Sequence, residues 1–136
     1  MSVTGPQDHK SAPEGALFAV AALAGLSGAA GVALSAVAAH KVDSPALATA
    51  AMMLMIHASA VLALVAVALR AQYSRRWLAC AGLMIFAALL FSGAVSYHAL
   101  TGNHIFPMAA PIGGSTLIAS WLLVAVLALL EVRKAK

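Results

Sequence analysis

Apolar residues in this chain fall in four long runs, Ala16–Ala39, Pro45–Leu69, Trp77–Leu100 and Ile105–Leu130, and none of them contains a charged residue. Each run exceeds the roughly 20 residues that cross the hydrocarbon core of a bilayer. Backbone polar groups in lipid must be satisfied internally, and a helix does this within one segment. The pattern therefore predicts an all-α integral membrane protein, an antiparallel bundle of four transmembrane helices.

The breaks between the runs refine the picture. Lys41–Ser44 reads as a tight turn, with Pro45 suited to the first position of a second helix. Ala71–Arg76 is a short basic loop, and Thr101–Pro111 is the longest connection, with a turn signal at Gly102-Asn103. Pro107, Pro111 and Gly113-Gly114 interrupt the start of the fourth run. A regular fourth helix is expected from about Ile112 to Leu130, with Ile105–Ala110 at the interface or dipping in as a re-entrant piece. Met1–Gly15 is polar, holds Gly5, Pro6 and Pro13, and is expected to be a mobile tail. The remainder, 16–136, reads as one transmembrane domain with spans at about 16–39, 45–69, 77–100 and 112–130. Ala36-Val37-Ala38 has the form of a signal-peptidase site. However, the first run is 24 residues long and its flank mixes Asp8, Lys10 and Glu14, so it is expected to stay uncleaved.

Charge then sets orientation. With four spans, one side holds Lys10, Arg70, Arg75, Arg76, Arg133, Lys134 and Lys136, and the other holds only Lys41. Lys and Arg collect on the cytoplasmic side, so both termini are expected there, in a bacterial inner membrane. Tyr73 and Trp77 would then lie at the inner interface. The basic excess, eight Lys and Arg against four Asp and Glu, flanks the spans. This fits topology signals and contact with acidic lipid rather than nucleic acid. The single cysteine, Cys80, excludes an intramolecular disulfide and reads as a small buried side chain.

Leucine burial cannot drive helices together in lipid, but close approach through small residues can. In the first span Ser27, Gly31, Ser35 and Ala39 form one stripe, and Ala24 and Gly28 an adjacent one. Ser92, Gly93 and Ser96 in the third span, and Gly113, Gly114, Ser115 and Ser120 in the fourth, offer similar surfaces. All are read first as packing surfaces, and second as the lining of a pathway.

No span carries Asp, Glu, Lys or Arg, which argues against a carboxylate proton relay or a voltage sensor. The histidines remain. His57 is twelve residues into the second span, near mid-bilayer at about 1.5 Å per residue. It is either a neutral imidazole that bonds a neighbouring helix or a functional group. Trp121 is also near the midplane and needs an acceptor for its indole N–H, such as a serine or a carbonyl on another span. His40, His98, His104 and Met108 are expected on the outer face, where they could share a metal ion, although their spacing matches no defined motif. His9 falls in the tail. A bis-histidine haem on His40 and His57 is excluded by a depth difference of roughly 18 Å at helical rise. No Ser-His-Asp set can be assembled, because Asp43 is the only acidic residue expected outside. No cofactor is implied.

At these residues the chain resembles the small bacterial inner-membrane proteins of the YgdD type, a family of unknown function with relatives among small eukaryotic transmembrane proteins. The likeness runs over about Ala19–Lys134. It rests on four blocks: Ser35-Ala36-Val37-Ala38-Ala39-His40; Ile56-His57; Leu90-Phe91-Ser92-Gly93 followed by Tyr97; and Pro111-Ile112-Gly113-Gly114 followed by Trp121. Ser35, Ala38, Ile56 and Ser120 depart from the family pattern, which has glycine or, before the second-helix histidine, an aromatic residue. The resemblance implies a four-helix inner-membrane protein without an assigned activity. It marks His40, His57, Ser92, Gly93, Tyr97, Pro111, Gly113, Gly114 and Trp121 as the positions to test.

The leading expectation is a non-enzymatic structural or accessory component that associates with the bilayer, with itself or with a larger membrane complex. The alternatives are a small transporter or channel for a neutral solute, and a histidine-based metal or redox protein.

Overall fold

A computed structural model describes residues 14–71 and 74–134, and they form four helices. These are α1 (Glu14–His40), α2 (Pro45–Arg70), α3 (Ser74–Thr101) and α4 (Ala109–Lys134). All four are long and apolar enough to cross a membrane. Glu14 and Gly15, the end of the expected tail, are helical; the rest of that tail, His9 included, and Tyr73 lie outside the described residues.

Local chemistry explains each boundary. At the end of α1, the N–H groups of Lys41 and Val42 both donate to the Val37 carbonyl, at 2.9 and 3.1 Å. Ser44, in extended backbone, caps α2 by accepting from the Leu47 N–H at 3.3 Å, and Pro45 follows in the first turn. Gly102 ends α3 with φ +73°, a left-handed conformation that costs glycine nothing, and its N–H donates to the His98 carbonyl at 2.8 Å.

The start of α4 differs from expectation. The helix begins at Ala109 rather than Ile112, and the Ile112 N–H donates to the Met108 carbonyl at 2.9 Å. Pro111 falls in the first turn, where its missing N–H forfeits no helical bond, so it does not delay the helix. Ile105, Phe106 and Met108 are exposed, so this piece lies outside the bundle and is not covered by protein as a re-entrant segment would be.

The helices pack as a four-helix bundle in which α3 is the shared element. It contacts α1, α2 and α4, and α1 packs mainly on α2. Among the described residues no Cα of α4 comes within 8 Å of one in α1 or α2. The core joins Leu54, Val61 and Val65 of α2 to Cys80, Met84 and Ile85 of α3.

Small residues set the two closest approaches. A Cβ on Gly31 would lie 2.5 Å from the Met55 side chain and 3.0 Å from the Ala51 carbonyl. A Cβ on Gly113 would lie 2.6 Å from the Phe91 backbone nitrogen. The expected stripe on α1 is only half used. Ser27 and Gly31 are buried with Ala24, whereas Ser35 and Ala39 are exposed beside a shallow groove at the α1–α2 connection. Trp77, in the first turn of α3, is 4% exposed and its ring packs within the core.

Candidate functional site

His57 and Trp121 each lie at the midpoint of a 26-residue helix, α2 and α4 respectively. The backbones of these helices do not touch, yet the two side chains meet. The Trp121 indole N–H donates to His57 Nε2 at 3.2 Å, and the rings sit edge to face with centroids 6.1 Å apart. On the other side of the imidazole, Nδ1 is 2.7 Å from the Met53 carbonyl, one turn back on α2.

These partners fix the proton. A carbonyl only accepts, so Nδ1 carries the hydrogen; an indole N–H only donates, so Nε2 offers its lone pair. His57 is therefore a neutral imidazole with both nitrogens engaged, and it has no free nitrogen for a metal or a proton relay in this arrangement. It is 4% exposed, while Trp121 is 46% exposed and shares its outer surface with Ile118 and Leu122. The tryptophan thus turns its polar edge toward the buried imidazole while much of its ring stays exposed.

At the residue before Trp121, the buried Cys80 thiol donates to the Ser120 carbonyl at 3.7 Å, which ties α3 to the same turn of α4. The Ser120 hydroxyl returns to the Thr116 carbonyl at 2.8 Å, and Ser27 does the same to Leu23 at 2.7 Å. These hydroxyls are absorbed by their own helices. Ser92 and Ser96 are buried one turn apart on α3, and their hydroxyls have no acceptor in the structure.

The other candidate positions separate into two regions. Gly113 and Gly114 lie on Phe91, the second position of the Leu90-Phe91-Ser92-Gly93 block, so two motif blocks meet at one helix crossing. Gly93 and Tyr97 face outward on α3, and a Cβ on Gly93 would meet nothing within 4 Å. Pro111 is exposed at the start of α4, and His40 is exposed at the end of α1.

Of the four residues considered for metal, the structure pairs two. His98 and His104 stack at 4.2 Å with 9° between their planes, and His98 Nδ1 is 3.3 Å from the Asn103 carbonyl. Met108 is exposed in the same connection. Among the described residues no three His, Cys, Asp or Glu side chains gather where one ion could be held.

Two relationships were not read from sequence, His57 with Trp121 and Phe91 with Gly113; His98 and His104 were expected on one face, and the structure adds their stacking. For the first, the shared depth was readable, because each residue lies near the middle of its run, but the choice of partner was not.

Four helices long and apolar enough to cross a membrane, with a His57–Trp121 bond between α2 and α4 and a close glycine crossing of α4 on α3, define an all-helical four-helix bundle. The chain belongs to the family described as "Protein of unknown function (DUF423)", which matches residues 34–114. That stretch runs from the last part of α1 into the first turns of α4, and takes in His40, His57, Phe91, Gly93 and Gly113 but not Trp121. No curated protein matches the chain, and no solved structure matches it either.

Proposed function

We propose that this protein is a non-enzymatic structural or accessory component of a bacterial inner-membrane assembly. Its helices run antiparallel, with both termini in the cytoplasm, and its partner is a second copy or another integral membrane protein. The four motif blocks support the finer reading that, within its family, it is of the YgdD type. The observation that carries the functional reading is the His57–Trp121 bond. The one mid-span imidazole is spent on holding α4 to α2, with no nitrogen left over for chemistry. The seven-to-one split of basic residues supports the orientation.

Reconstituted vesicles test this against transport. They are expected to remain tight to small neutral solutes. A solute flux that His57→Ala abolishes would overturn the structural reading.

A further inference from the structure

The stacked histidines line a groove of about 240 Å³ at the α3–α4 connection. Apart from the two imidazoles its lining is apolar, with Val95, Ile105, Phe106 and Pro111 as the larger contributors. Ile105 and Phe106 are also exposed, so the apolar lining continues onto the surface of the molecule. Binding sites for small molecules share this make-up, an apolar cleft with a few placed polar groups.

The chemistry of the two imidazoles narrows the occupant. His98 Nδ1 faces the Asn103 carbonyl, so it carries the hydrogen and Nε2 offers a lone pair. A neutral His104 supplies one N–H donor from whichever ring nitrogen holds its proton. An acceptor and a donor therefore stand side by side, with rings 4.2 Å apart. We propose that this groove binds a phospholipid whose headgroup carries an N–H donor beside its phosphate, as phosphatidylethanolamine does. The phosphate oxygen accepts from His104, the ammonium donates to His98 Nε2, and an acyl chain lies along Val95, Ile105 and Phe106. Phosphatidylcholine has the same phosphate and chains but no N–H, so it makes only half of these bonds.

The proposal rests on the helices spanning a bilayer. That placement is checked separately, by whether the protein stays in the membrane fraction after an alkaline carbonate wash. The site itself is tested by titrating delipidated protein in mild detergent with dioleoyl phosphatidylethanolamine or dioleoyl phosphatidylcholine and counting bound lipid by native mass spectrometry. The ethanolamine lipid should bind roughly tenfold tighter, about the effect of one hydrogen bond to an ionised group. His98→Ala should reduce it to the level of the choline lipid. Ala110→Phe, which fills the groove and leaves both imidazoles in place, should weaken both lipids. Equal affinity for the two lipids in the wild type would overturn the proposal, as would a preference that survives His98→Ala.

Discussion

The His57–Trp121 bond joins two helices whose backbones stay apart, since among the described residues no Cα of α4 comes within 8 Å of one in α2. In water a side-chain bond competes with solvent, but in hydrocarbon an unpaired imidazole lone pair or indole N–H has no alternative partner. Membrane double-mutant cycles put such bonds at about 0.6 kcal/mol on average, because the unfolded chain in lipid also finds partners. Trp121→Phe should destabilise by more than this, about 1–3 kcal/mol, since it leaves the buried Nε2 of His57 unsatisfied. Adding His57→Leu should restore most of the loss. The check is denaturant unfolding in micelles of both single variants and the double variant. Simple additivity of the two losses would mean that the bond contributes nothing. The depth of both residues was legible in the sequence, from their place in the runs. Their pairing was not, because it depends on which faces α2 and α4 turn toward each other across α3, and uniformly apolar helices carry no amphipathic signal for this.

At the scale of helices, glycine's effect depends on what its missing Cβ would meet. Gly113 and Gly114 are adjacent in sequence and look equivalent there. In the structure a Cβ on Gly113 would lie 2.6 Å from backbone of α3, whereas one on Gly114 would touch only the Phe91 ring at 3.6 Å. Gly113→Ala should therefore force α3 and α4 apart and cost about 1–3 kcal/mol, as overpacking does. Gly114→Ala should be near neutral, since it also removes backbone freedom from the unfolded chain. Thermal unfolding in detergent separates the two, and equal Tm values would contradict the close crossing. Helix boundaries at Pro45 and Gly102 follow from rules of turn and cap chemistry, so they were readable in advance. The start of α4 was placed three residues late because Pro111 was taken to mark the very beginning of the helix, whereas it is the third residue of the first turn, where its missing N–H also costs nothing. The stripe Ser27, Gly31, Ser35 and Ala39 was misread at its C-terminal half because α1 is exposed there, and a four-residue spacing cannot report where two helices part.

For the whole molecule, the arrangement leaves large apolar faces uncovered. Leu26 and Val32 on α1, Phe86 on α3, and Ile118 and Leu129 on α4 are all exposed. Lipid covers such faces without penalty, so they do not by themselves identify a partner. Gly93 is the more informative position. It lies on an outward face of α3 where, among the described residues, no other part of the fold comes within 4 Å of its Cβ site, so a bulky side chain there should leave the fold intact and disturb only what packs from outside. The central claim is that this protein works as part of an assembly. Its most direct test is the mass of the particle released gently from its own membrane, for the wild type and for Gly93→Trp side by side. The account predicts a discrete particle heavier than the 13.7 kDa chain for the wild type, and its loss in a variant that remains folded. A wild-type particle that is a bare 13.7 kDa chain would contradict it.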